Sequence, residues 1–256
     1  MVDATPGGVG EAYRPMYEKA GVKAIYQGGE DHGLAGVSFN AYANYSEAWG
    51  ARFARVVSCN TTGLVRTLFP LDRDIGVERV NATLIRRGAD PSDNKGSGLN
   101  TLEPSLKLPT HHGPDVQTIM PWVNITTMAV KAPTTLMHVH CIIADLKKEV
   151  KESDVLAAWD DVPRVRLVSG KRGIKGTANI MEFAKDLDHH RGDFMEIAVW
   201  QDGIKVAGKT LYYYQAVHQE SDVVPENVDC IRSMMKMEPD AALSIKKTDD
   251  SLGIGK

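Results

Sequence analysis

The chain has 256 residues, 43% of them hydrophobic and 25% charged, and its 30 Lys and Arg against 33 Asp and Glu give a net charge of −3. That length allows one large domain or two small ones with a sizeable core, and the composition excludes disorder. The slightly acidic balance argues against sequence-independent nucleic-acid binding, which calls for a basic surface.

The first segments alternate between strand and helix. "VDATP" reads as the end of a buried strand followed by a turn. "EAYRPMYEKAG" predicts a helix closed by Gly21, and "VKAIYQ" a strand ending at Gly28 and Gly29. "GVSFN" predicts a short strand, "YSEAWGARF" a helix capped by Ser46, and "ARVVSC" another strand. Such alternation predicts an α/β unit with parallel strands.

After Cys59 the texture changes. "TGLVRTLFPLD" predicts a helix, "VERVNATLIRRG" a strand, and residues 91–116, rich in Gly, Pro, Ser and Asn, a long irregular loop of the kind that is usually functional or disordered. "VNITTMAVKAP" and "LMHVHCIIADLKKEV" predict long strands. "SDVLAAWD" and "TANIMEFAKDL" predict helices capped by Ser153 and Thr177. "FMEIAVW", "IKVA" and "TLYYYQAVHQ" predict strands, and "PENVDCIRSMMKM" a closing helix with Pro225 in its first turn. Strands that follow one another without helices predict antiparallel pairing.

No signal peptide is expected from "MVDATPGGVG", and the most apolar window is broken by Lys131, Pro133 and two histidines. The three cysteines, Cys59, Cys141 and Cys230, are odd in number and far apart, so neither a disulfide framework nor a metal site is expected, and a reducing cytoplasm fits.

Cys59 lies where a strand stops and a helix starts. Free N–H groups at a helix start favour an anion, so the position predicts a lowered thiol pKa and a nucleophile; the alternative is an inert buried cysteine. Cys141, in an apolar strand, and Cys230, in a helix, read as inert. His138 and His140 lie two apart on one strand and so share a face. A single imidazole facing a thiol, a satisfied core histidine and a metal pair are the readings, the last lacking a third ligand. Arg86 and Arg87 with His111 and His112 predict an anion pocket within reach of Cys59, because guanidinium forks suit phosphate; solvated charge is the alternative. Gly7, Gly8 and Gly10 do not make a dinucleotide fingerprint, and the pairs Asp160–Asp161 and Asp249–Asp250 read as solvated surface.

Five stretches, "VVSCNTTGLVRTL", "RRGADPS", "HHGPDVQT", "PTTLMHVH" and "HQESDVVPENVDCIR", together resemble archaeal-type (class II) glyceraldehyde-3-phosphate dehydrogenase, over Val2 to about Gly253. The resemblance implies Cys59 as nucleophile and His138 as catalytic histidine, acting as general base and then acid. It implies Ser58 and Asn60 flanking the reacting carbonyl, Thr61 and Thr62 as helix-start donors for an anion, and His111 and His112 toward the substrate phosphate, beside the Arg86 already read as part of an anion pocket. Gly29, Arg87 and Gln219 match cofactor-contacting positions, for NADP or NAD. The implied fold is the C-terminal part of a Rossmann domain (residues 1–57), an α+β catalytic domain with a mostly antiparallel sheet (58–218), and a C-terminal helix packing back on the nucleotide domain (219–256). The implied reaction is phosphorylating oxidation of glyceraldehyde 3-phosphate with inorganic phosphate, in a homotetramer. The family's glycine fingerprint is absent, so an N-terminally truncated chain is expected. The alternatives are another cysteine-dependent semialdehyde dehydrogenase or a non-catalytic truncated subunit.

Overall fold

The computed structural model describes residues 1–88 and 100–255. Residues 89–92 of the "RRGADPS" motif and the first part of the expected 91–116 loop lie outside the described residues.

The chain opens with β1 (Val2–Asp3), α1 (Val9–Ala20), β2 (Ala24–Gln27), α2 (His32–Ala35), β3 (Ser38–Phe39), α3 (Ala41–Asn44) and β4 (Phe53–Val56). The four strands form a parallel sheet in the order β1-β2-β4-β3. Ala24, Ile25 and Tyr26 are buried, as expected of a strand covered on both faces. Gly21 closes α1 in the left-handed region, with φ 67°. The helix expected over "YSEAWGARF" is displaced. It starts at Ala41, where Asn40 rather than Ser46 accepts from the free N–H of Tyr42 at 3.1 Å, continues as a 3-10 turn over Tyr45–Ala48, and Phe53 already belongs to β4.

Then come α4 (Cys59–Asp74), β5 (Val77–Arg87), β6 (Glu103–Pro104), α5 (His112–Gln117), β7 (Asn124–Ala132) and β8 (His138–Leu146). The expected long loop therefore contains a short strand and a helix. They are followed by α6 (Glu152–Asp160), β9 (Val165–Val168), α7 (Thr177–Asp186), β10 (Ile197–Trp200), β11 (Lys205–Ala207), β12 (Thr210–Val217), α8 (Val224–Met234) and α9 (Ala241–Leu252). Ser153 and Thr177 are not caps. Each lies inside its helix, and the free ends are served instead by Asp154, which accepts from Lys151 N–H at 2.8 Å, and by Asn179, which accepts from Gly176 N–H at 3.2 Å. Nor is α8 the closing helix, since α9 follows, capped by Asp240.

The large sheet runs β6-β7-β5-β8-β12-β10-β9, with β11 beside β12. It is mixed: β5–β7 and β9–β10 pair in parallel, because the chain between each pair is long enough to cross over, and the other pairs are antiparallel. Its inner face, with Val80, Ala82 and Leu84 of β5, Ile142 and Ala144 of β8 and Tyr213 of β12, packs on Leu64, Val65 and Leu68 of α4. A second core joins Ile25, Ala54 and Val56 of the parallel sheet to Val223, Cys230 and Met234 around α8 and Ile245 of α9.

Several charged groups buried between these layers are paired. Arg66 of α4 meets Glu226 of α8 at 2.8 Å, and Arg164 meets Glu226 at 3.2 Å, Asp229 at 2.5 Å and Asp249 at 2.8 Å. Asp249 is thus not the solvated residue expected of the Asp249–Asp250 pair; it is buried because the Arg164 guanidinium lies against it.

Candidate active site

Helix α4 begins at Cys59. Ser58 precedes it in extended conformation and caps it, accepting from Thr61 N–H at 3.4 Å, and the Ser58 and Thr61 hydroxyls lie 3.0 Å apart. The helix start sits where β4 ends, and it faces one end of the inner surface of the large sheet. Alternation along β5 puts Arg86 on the same face as Val80, Ala82 and Leu84, and alternation along β8 puts His138 and His140 on the face of Ile142 and Ala144. Cys141 falls on the opposite face of β8, away from this cluster, and Cys230 is wholly buried under the parallel sheet.

The segment carrying His111 and His112 is brought in by α5. Asp115 accepts from Arg55 of β4 at 2.9 Å and from the Thr61 hydroxyl at 3.4 Å, which ties α5 to the start of α4. The His111 and His112 rings lie 4.0 Å apart. His111 is exposed. His112 is buried, with Nδ1 3.1 Å from the Thr110 hydroxyl.

Arg86 is the charge around which these groups gather. Its field reaches Cys59, His111, His112, His138 and His140, lowering the basicity of every imidazole among them. Its Nε is buried and has no hydrogen-bond partner among the described residues. Arg86 as a whole is half-buried, and a buried guanidinium N–H left without an acceptor is costly unless an anion completes it. Arg87 is turned elsewhere: it pairs with Glu220 at 2.9 Å, donates to Thr135 O at 3.2 Å, and lies against the Gln219 carboxamide.

The electrostatics correct two expectations. Burial, and next the Asp222 carboxyl, push the Cys59 thiol up; Arg86, the Asn60 N–H and Arg87 pull it down but do not prevail. The helix start alone therefore does not set the thiol's acidity, because desolvation of the thiolate outweighs it. The histidines are likewise not cations. Burial, then the neighbouring His111 and Arg86, hold His112 at about 2, and burial, then Arg86 and Arg87, hold His138 at about 3. An anion at this place would meet its positive charge at Arg86, with the imidazoles as neutral neighbours.

The pairing expected between Cys59 and His138 is not a direct one in this arrangement. The side-chain neighbour of the sulfur is Asn60, whose Nδ2 lies 3.7 Å from Sγ. His138 instead accepts at Nδ1 from the backbone N–H of Arg87 at 2.9 Å. With Nδ1 taken, the neutral ring carries its proton at Nε2.

Three groups escaped sequence reasoning. Asp222 is fully buried near Cys59, its carboxyl oxygens have no hydrogen-bond partner among the described residues, and burial raises its pKa well above the usual range. Asn227 of α8 donates to Gln27 Oε1, and Gln27 Nε2 donates to Val57 O at 3.3 Å. Asn227 Oδ1 is a buried acceptor with no partner among the described residues. Gln27 ends β2, and the carboxyl ends of parallel strands are where open α/β sheets hold dinucleotides. An orphan amide oxygen there fits a carboxamide donor such as that of nicotinamide. At the same strand end Gly29 lies against Gly7, where an added Cβ would meet Gly29 O at 3.0 Å, so this close approach of two chain segments favours glycine. Asn227 stands inside the quoted "PENVDCIR" motif, but nothing in its spacing showed which way its amide would face.

Among the described residues no group of three or more His, Cys, Asp or Glu is arranged to hold a metal ion, and no helix is long and apolar enough to cross a membrane. Residues 58–203 match the family model described as glyceraldehyde 3-phosphate dehydrogenase, C-terminal domain. The chain is 52% identical over 257 aligned positions to glyceraldehyde-3-phosphate dehydrogenase 1 of Methanosarcina barkeri, covering 100% of this chain and 75% of that protein. It is 54% identical to the glyceraldehyde-3-phosphate dehydrogenase of Pyrococcus abyssi, over 99% of this chain and 75% of the relative. To that of Methanococcoides burtonii it is 53% identical, over 99% and 76%.

Proposed function

Because the chain belongs to the glyceraldehyde-3-phosphate dehydrogenase family, we propose that Cys59, Arg86 and His138 carry out the phosphorylating oxidation of glyceraldehyde 3-phosphate at the start of α4. The observation that carries this reading is the half-buried Arg86, whose buried Nε has no partner among the described residues, within electrostatic reach of a thiol at a helix start. A phosphorylated aldehyde supplies both the missing anion and the electrophile.

In this reading Arg86 binds the substrate phosphate beside His111 and His112, and Ser58 and Thr61 hold the helix start in place. Cys59 loses its proton to solvent and the thiolate attacks the aldehyde carbon. The neutral His138 ring donates from Nε2 to the oxygen that becomes the oxyanion. This differs from the base-then-acid role expected of it, since Nδ1 is already occupied by Arg87 N–H. Gly29, Asn227 and the Arg87–Gln219 pair would hold NADP or NAD, which would supply a hydride acceptor for oxidation of the Cys59 adduct to a thioester. Inorganic phosphate then displaces the thiolate as an acyl phosphate, 1,3-bisphosphoglycerate.

We divide the chain into a nucleotide-binding part to residue 57, a catalytic part over 58–218 and a C-terminal part that covers the parallel sheet. A cytoplasmic location and a homotetramer complete the reading. Self-association is supported by the outer face of the large sheet, where Met128, Ile143, Tyr212 and Tyr214 are exposed together.

Substrate protection tests the site. Iodoacetamide labelling with peptide mapping is expected to be slowed at Cys59 by glyceraldehyde 3-phosphate, with Cys141 and Cys230 unaffected. Protection at another cysteine, or none, overturns the assignment.

A further inference from the structure

A buried hydrogen-bond chain leads away from the Cys59 sulfur. Asn60 Nδ2 faces Sγ at 3.7 Å, Asn60 Oδ1 lies 2.9 Å from His140 Nε2, and His140 Nδ1 lies 3.0 Å from Gln215 Nε2. Thr67, one helical stretch further along α4, donates to Gln215 Oε1 at 2.7 Å and lies 3.0 Å from the Tyr213 hydroxyl. Asn60, His140, Gln215, Thr67 and Tyr213 are all at most 2% exposed.

The inventory of donors orders the chain. An amide nitrogen only donates, so Gln215 Nε2 makes His140 Nδ1 an acceptor. The neutral imidazole must then carry its proton on Nε2 and donate to Asn60 Oδ1. That leaves the Asn60 N–H groups for the sulfur. Gln215 is held in turn, because its Oε1 takes the Thr67 proton while the Tyr213 hydroxyl donates to Thr67. His140 faces Gln215 directly across the β8–β12 pair, so register fixes the contact.

We infer that His140 is a positioning residue for the nucleophile: it fixes the Asn60 carboxamide with its N–H toward the Cys59 sulfur, so that a thiolate meets a donor already in place. The inference rests on Cys59 being the nucleophile. The sulfur is also faced by Arg86 and Arg87 of β5 and by Asp222 before α8, and His140 by His138 on its own strand, Arg86, and His112 of α5. None of these groups is substituted in the variants below, so each variant keeps the same set of charges around the sulfur. Burial, then His138 and Arg86, hold His140 at about 3, so it remains a neutral donor across the working range.

The test is the pH profile of Cys59 alkylation by iodoacetamide, read by peptide mapping. His140→Phe removes the donor to Asn60 and is expected to slow alkylation at neutral pH about tenfold and move the profile to higher pH, the size expected for a hydrogen bond to a charged group. His140→Gln, whose amide N–H reaches the place of Nε2, is expected to stay within about threefold of the parent. Asn60→Ala should reproduce the His140→Phe shift, and the double variant should add nothing, because both act on one path. An unchanged profile in His140→Phe overturns the inference. Should that variant not fold, the imidazole ¹⁵N shifts of the unaltered protein decide: a protonated Nε2 that does not titrate between about pH 5 and 9 supports it, and a protonated Nδ1 overturns it. Failure of Cys59 to label in any form would instead discard the nucleophile itself.

Discussion

The backbone N–H of Arg87 donates to Nδ1 of His138 across the end of the β5–β8 pair, at 2.9 Å. One main-chain bond thereby decides the tautomer of His138, and burial keeps the ring neutral. His138 should act as a hydrogen-bond donor and not as a titrating base. His138→Ala is expected to lower kcat by about 10²–10³ with little change in KM, as for loss of an oxyanion donor. The pH–rate profile of the parent should show no limb near the ordinary imidazole pKa from this residue. A limb there that vanishes in His138→Ala would contradict the neutral-donor role.

Arg86→Met should separate binding from stability. The substitution removes a guanidinium that is incompletely partnered in the free protein, so the melting temperature should hold or rise. Affinity for the phosphorylated substrate should fall by about 10–100-fold, the size of a charge-assisted hydrogen bond lost. Unchanged KM for glyceraldehyde 3-phosphate, or a large fall in melting temperature, would show that Arg86 is a structural ion.

Asp222 makes a pH-dependent prediction. Its folded pKa is raised by burial above the unfolded value, so the folded state holds a proton that the unfolded state has lost. Stability contributed in this way is complete below the unfolded carboxyl pKa and declines as pH rises toward the folded one. Asp222→Asn is therefore expected to flatten the dependence of melting temperature on pH above about pH 4 and to be the more stable form at neutral pH. At pH values high enough to ionise Asp222 itself, it should also move Cys59 alkylation to lower pH, since the ionised Asp222 carboxylate is the largest charge opposing the thiolate. Urea or thermal melts across pH test the first point and labelling rates the second.

The Arg164 cluster should be the most sensitive place in the fold. Arg164→Ala leaves Glu226, Asp229 and Asp249 without their shared cation in a site closed to water. A loss of about 3–5 kcal/mol is expected, the usual result of deleting one partner of a buried ion pair. The same melts should show Arg73→Ala, whose partners Asp74 and Asp161 are exposed, close to the parent.

Much of the architecture was legible in the residues because it depends on local periodicity. The alternation in "VERVNATLIRRG" and "LMHVHCIIADL" marks strands with one buried face, and "SCNTTG" after a buried strand marks a helix start with a small polar cap. His138 and His140 share a face by the same two-residue repeat, and the repeat Val80, Ala82, Leu84, Arg86 already places the arginine inward. Helix caps were less legible: Asn40, Asp154 and Asn179 serve ends assigned to Ser46, Ser153 and Thr177, because several polar residues near a helix start compete for the same N–H groups.

What only the tertiary structure decided is which groups are desolvated and what faces them. Cys59 was predicted acidic from its helix start, and is not, because burial and a carboxyl 163 residues away in the chain act on it more strongly. Asp249 reads as a surface charge until Arg164 is placed against it. Asn60, His140, Gln215 and Thr67 lie on α4, β8 and β12, and their hydrogen bonds exist only once helix and sheet have packed. Periodicity along the chain fixes which face a side chain takes, whereas solvation energy and hydrogen-bond polarity depend on neighbours that the linear order does not bring together.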